Sequence, residues 1–191
     1  MKNLPRILMI LAALLLVFVF FFPIWSITLY APQYPGGVTM YIWINKITGD
    51  TPGTLQNINI LNHYVGMKMI EPDSIPELKY FQFIIGGMGL IALALAWVNR
   101  KPFYLAWAIF FVILGALGIY DFYLWEYDYG HNLSKDAPIK VPGMTYQPPL
   151  FGKKTLLNFV AYSYPYWGSL FFGLSVISGF LAYLFYKKRK K

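Results

Sequence analysis

A chain of 191 residues that is 58% hydrophobic and 20% aromatic exceeds the apolar share of an ordinary water-soluble domain, about 45–50%, so a bilayer is its natural solvent. A formal charge of +8 points to nucleic acid only if the basic residues share one soluble surface, and their placement gives them a topological role instead. The lack of cysteine excludes disulfides, thiolate metal sites, cysteine nucleophiles and iron–sulfur clusters, which leaves His, Met, carboxylate or backbone ligands for any metal.

A helix crosses about 30 Å of hydrocarbon with about 20 mostly apolar residues. The first such stretch is 7–26 (ILMILAALLLVFVFFFPIWS), preceded by Lys2 and Arg6, with Trp25 and Tyr30 at the depth of an interfacial aromatic belt. A signal peptide also has a basic start and an apolar run. This run exceeds a usual signal core, and no small-x-small site follows Phe22, so an uncleaved helix is expected.

The first outer segment, 27–79, opens with a turn-rich stretch, Ala31-Pro32-Gln33-Tyr34-Pro35-Gly36-Gly37. Val38, Met40, Ile42 and Ile44 then alternate with Thr39, Tyr41, Trp43 and Asn45, a strand pattern rich in β-branched and aromatic types. After a break at residues 49–53, Leu55 to Leu61 returns either as a second strand or as a short helix. Next come His63, Met67 and Met69, whose imidazole and thioether groups suit copper, especially Cu(I), better than magnesium or calcium. On a helix His63 and Met67 would share a face at i and i+4, although Gly66 weakens such a helix.

The second and third spans are 80–98 and 103–124, separated only by Asn99-Arg100-Lys101-Pro102, which makes a tight antiparallel hairpin with a basic turn. Asp121, near the outer end of the third span, is the one ionisable residue within the four spans and divides between a structural and a functional role. The spans otherwise offer only Gln82, a few serines and packing glycines, which argues against a transporter or channel.

The second outer segment, 125–164, carries Glu126 and Asp128, read as solvated surface carboxylates, and then His131, the only other histidine. Val141 to Pro149 is expected to be extended because of its prolines, and it contains Met144. The fourth span is 165–186, followed by the basic run 187–191. Lys2, Arg6, Arg100, Lys101 and that run put +9 on one face, while seven basic and eight acidic residues leave the other at −1, which sums to +8. The positive-inside rule then places both termini in the cytoplasm. The expected fold is a mainly α four-transmembrane-helix bundle, a single membrane domain, with a small extracytoplasmic cap of short β-strands built from both outer segments.

The strings INILNHYVGMKMI, YDFYLWEYDYGHNL and VPGMTYQPPLFGKKTLLNF resemble a family of small bacterial membrane proteins associated with maturation of the copper-dependent nitrous oxide reductase, over most of the chain. The resemblance implies a copper-handling accessory role and points to His63, Met67, Met69, Asp121, His131 and Met144, with no catalytic pattern. The expected function is therefore a non-enzymatic, membrane-anchored factor that binds copper outside the cytoplasm for assembly of a metalloenzyme. Its partners are the lipid bilayer and a protein in the membrane or periplasm, with no nucleic acid.

Three alternatives compete. The aromatic load at residues 120–129 and 162–167 suits a structural subunit of a larger membrane complex with no metal of its own. An enzyme would draw on Asp121, Glu126, Asp128 and His131, but no nucleophile motif, phosphate loop or HExxH pattern accompanies them. A haem held by His63 and His131 would place its ligands outside the spans, where bundle cytochromes do not put them.

Overall fold

The computed structural model describes residues 3–186; Lys2 and the basic run 187–191, on which the orientation reading leans, lie outside the described residues. Pro5 sits in the first turn of α1 (Leu4–Val19), where its missing N–H has no helical partner to lose. With 16 residues, α1 is about 24 Å long. The chain leaves it through a turn at Phe20 and Phe21, and Pro23 prevents it from resuming. Trp25 and Ser26, expected at the end of the first span, begin strand β1 (Trp25–Ala31).

Among the described residues three helices are long and apolar enough to cross a membrane: α3 (Glu77–Val98), α4 (Lys101–His131) and α5 (Trp167–Leu184). The expectation of four full-length spans is corrected to three, because the segment 7–26 is helical only as far as Val19. The expected third span is the first part of a 31-residue helix. No breaker follows Pro102 until Asn132, so α4 runs about 46 Å and its end stands beyond the hydrocarbon thickness.

α1 packs along α5 and α3, and α4 along α5, while α3 and α4 touch only sparsely despite the short turn between them. Small residues make these approaches possible. Ala12, Ala13, Ala92, Ala96, Ala108 and Ala182 are buried among Met9, Leu16, Val19, Met88, Trp107 and Phe111. Inside the bundle Ser175 donates to the Ala12 carbonyl at 2.9 Å and the Trp107 indole to the Met88 carbonyl at 3.0 Å. After Arg6, the outward flank of α1 is apolar, with Ile7, Leu14, Val17 and Phe18 exposed.

The two long connections meet in one antiparallel sheet. The first supplies β1, β2 (Tyr34–Ile42) and β3 (Ile47–Gly49), the second β4 (Gly152–Leu156) and β5 (Phe159–Pro165), in the order β3-β2-β1-β5-β4. The central pairing runs from Trp25 opposite Pro165 to Tyr30 opposite Val160, so both connections form one cap. The alternation expected from Val38 is present, with Val38 and Met40 buried. The segment after the break is helical rather than a strand: α2 is Thr54–Val65. It lies on the face where Trp25, Ile27, Leu29, Met40, Ile58 and Tyr129 form the cap's core. Phe122, Trp125 and Tyr129 bring the end of α4 into that core.

Candidate functional site

α2 ends at Gly66, whose φ of 82° lies in the left-handed region that glycine adopts without strain. A Cβ there would also stand 2.8 Å from that of Ala137, so the site has room for no side chain. Beyond it the chain folds back along α2. Met67 N–H donates to the Asn62 carbonyl at 2.9 Å, Asn62 Nδ2 to the Lys68 carbonyl at 3.3 Å, and the Asn59 amide both receives from Ile70 N–H at 2.7 Å and donates to its carbonyl at 3.2 Å. This return places Met69 in a groove of about 520 Å³ with His63, walled by Leu55, Ile60 and Tyr64. Met69 is 57% exposed, and His63 is exposed as well. Imidazole and thioether thus share a mostly apolar, open cleft.

The other expected ligands stand elsewhere. Met67 follows the helix end, does not share the face of His63, and packs half-buried against the cap's core. His131, in the last turn of α4, stacks on Tyr127 with ring centroids 3.8 Å apart, and its Nδ1 lies 3.0 Å from the Tyr127 carbonyl. At 100° per residue these two project away from the face on which Trp125 and Tyr129 meet the core. Met144 is half-buried in the irregular stretch after α4, at the end of a turn in which its N–H donates to the Val141 carbonyl at 3.1 Å, where an extended chain was expected. Asp121 is half-buried on α4. The groove holds His63 and Met69 and does not include Met67, His131, Met144 or Asp121. Among the described residues no group of three or more His, Asp or Glu side chains is placed to hold a metal ion.

The expected contact between the outer segments is present. Lys68 pairs with Asp128 at 2.6 Å, Tyr129 donates to the Met69 carbonyl at 3.0 Å, Ser134 N–H to that of Gly66 at 2.8 Å, and Ile139 N–H to that of Tyr64 at 2.9 Å. Hydrogen bonds from Lys68 and then from Asn132 hold the Asp128 carboxyl below the usual carboxylate range. Asp128 is half-buried, with its side chain 41% exposed.

Glu126 reverses the expectation of a solvated carboxylate. It is 0% exposed, and neither of its carboxylate oxygens has a hydrogen-bond partner, nor has the hydroxyl of the buried Tyr146. One turn on, Gly130 lies directly against Gln147, and its carbonyl accepts from Tyr146 N–H at 2.9 Å. Lys154 of β4 donates to the Gln147 carbonyl at 2.9 Å. Burial pushes the Glu126 carboxyl up to about 8, against the pull of the Lys154 ammonium. The sequence did carry a trace of this arrangement: Glu126 and Gly130 are four apart on one helix face, and a glycine there marks a close backbone approach.

No family model, curated protein or solved structure matches the chain.

Proposed function

We propose that the protein is a membrane-anchored accessory factor that holds Cu(I) between His63 and Met69 and passes it to a metalloenzyme partner. The observation that carries this reading is the return of residues 67–70 along α2, which puts an exposed thioether into the groove of an exposed imidazole. Soft sulfur with imidazole favours Cu(I). Two ligands on an open cleft leave coordination positions for a partner's ligand, so the ion leaves by exchange rather than by dissociation from a closed cage. Exposed Ile60 and Tyr64 beside the pair give a docking partner apolar surface. The family resemblance points the same way.

In this reading the cap faces the extracytoplasmic side, and Arg6, Arg100 and Lys101 mark the cytoplasmic one. α1, packed between α3 and α5 with an apolar outer flank, serves as a shorter fourth membrane helix. A structural subunit of a larger complex is the second reading. It is favoured by the exposed Tyr120, Tyr123, Tyr127, Tyr164 and Trp167 where bundle and cap meet.

Cu(I) titration of the detergent-purified protein against a competing chelator tests the proposal. One equivalent is expected for the wild type, with loss in His63→Ala and Met69→Ala and retention in His131→Ala and Met144→Ala. A wild type that cannot compete for the metal refutes the copper role and leaves the structural subunit as the better account.

A further inference from the structure

The polar centre beneath residues 144–150 is distinct from the α2 groove. Buried polar groups are nearly always paired, so the two Glu126 oxygens and the Tyr146 hydroxyl form an unusual concentration of orphans on one side of α4. One turn along α4 from Glu126, residues 144–150 approach the helix as closely as backbone permits: a Cβ on Gly130 would stand 2.3 Å from the Cα and N of Gln147. Three bonds hold that stretch there: Tyr146 N–H to the Gly130 carbonyl, Lys154 Nζ to the Gln147 carbonyl and the Ser163 hydroxyl to the Leu150 carbonyl. The neighbouring Lys153 turns to the other face of the sheet, its ammonium 5.6 Å from the Tyr162 ring centroid.

We propose that residues 144–150 form a proton-controlled strap, closed over a neutral Glu126 and released as that carboxyl gives up its proton. When the strap is closed, neither carboxyl oxygen receives a hydrogen bond, and a buried charge without one is strongly disfavoured. When it is open, water solvates the carboxylate. The groups that bear on the balance are few. From β4, Lys154 favours the ionised form, but its ammonium is engaged by the Gln147 carbonyl. From the strap, Tyr146 brings a neutral hydroxyl. On α4 itself, Asp128 is turned to Lys68.

The direction follows from linkage. Closed, the carboxyl keeps its proton up to about pH 8; open, it returns to its ordinary value of 4.5. Opening therefore releases one proton within that window and becomes about tenfold easier per pH unit, then levels off once the closed form has also ionised.

Hydrogen exchange on the full chain in detergent reads this directly, through the strap amides and Tyr146 N–H in particular, between pH 5 and 9 after correction for intrinsic exchange. Wild-type protection is expected to fall about tenfold per unit and to flatten near pH 8. Glu126→Gln should remove the slope. Lys154→Met should carry the flattening to higher pH, because the charge that favours ionisation is gone. Equal wild-type protection at pH 5 and pH 8, or an unchanged slope in Glu126→Gln, overturns the proposal; the wild-type profile alone decides if that variant does not fold.

Discussion

Gly130→Ala isolates the closest approach in the cap. Within a regular helix the exchange should help by about 1 kcal/mol, since alanine loses less backbone freedom than glycine. Here the added methyl would lie 2.3 Å from the Cα and N of Gln147 and 2.5 Å from its Cβ, whereas ordinary contact begins at 3.4 Å. The backbone at Gln147 must therefore retreat by about 1 Å, the difference between 2.3 and 3.4 Å. A retreat of that size stretches the 2.9 Å bond from Tyr146 N–H to the Gly130 carbonyl past bonding distance. Overpacking of this kind costs about 1–3 kcal/mol, and orphaning a buried N–H costs about 1–3 kcal/mol more. After the helical gain, the strap is destabilised by about 1–5 kcal/mol. Thermal unfolding in detergent and hydrogen exchange at residues 144–150 measure this. Gly173→Ala is the control, because that helical glycine has open space where a Cβ would go. A Gly130→Ala protein with wild-type melting temperature and wild-type strap protection would refute the packing argument.

Two further substitutions test the joins between the outer segments. Gly66→Ala forces a left-handed φ on a residue with a Cβ, at about 1–2 kcal/mol, and crowds Ala137 at 2.8 Å. The expected result is a lower melting temperature together with weaker Cu(I) binding, because the return that carries Met69 starts there; unchanged affinity would separate that turn from the groove. Asp128→Asn removes a carboxyl whose folded value is depressed by Lys68 and Asn132, so its contribution is present at neutral pH and lost as pH falls through the ordinary value of 3.8 and below. With the two side chains 53% and 41% exposed, solvent screening leaves the pair worth under about 1 kcal/mol. Acid unfolding should flatten slightly in the variant, and an identical acid profile would count against the pair.

Hydropathy made the bundle legible, because lipid-facing residues are apolar whatever their partners. α3 and α5 fall where length and composition put them. The errors lie where an apolar run changes structure without changing composition. Ile24 to Leu29 is as hydrophobic as the end of a span, yet Pro23 and pairing to both β2 and β5 make it the sheet's central strand. Long-range pairing of this kind leaves no local periodic signature when the strand is buried. α4 misled in the opposite direction: its tyrosines and carboxylates looked like loop, while nothing in them breaks a helix. At the site, ligand chemistry singled out His63, Met67 and Met69, with His131 and Met144 behind them, and it could not show that only His63 and Met69 line one groove, because that depends on how residues 67–70 return along α2. Glu126 was misread because composition says where a carboxylate usually sits, whereas this one is fully buried by tertiary packing that composition does not show.

The junction of bundle and cap is tied together by hydrogen bonds and by one continuous helix. β1 follows directly from the turn after α1, and β5 leads directly into α5. The two helices are packed neighbours in the bundle, and the two strands are paired neighbours in the sheet. Between them, Tyr166 N–H donates to the Ile24 carbonyl at 2.9 Å and Gly168 N–H to that of Pro23 at 2.7 Å, so hydrogen bonding runs from the sheet into the first turn of α5. A Cβ on Gly168 would lie 2.7 Å from the Pro23 oxygen, which leaves no room for a hinge at this contact. α4 adds a second, unbroken connection from the bundle into the cap's core. Relative motion of cap and bundle would have to break both connections. Release of residues 144–150 as proposed would break three hydrogen bonds to that stretch, and the proposed ligand exchange at His63 and Met69 would need only side-chain movement at an open cleft.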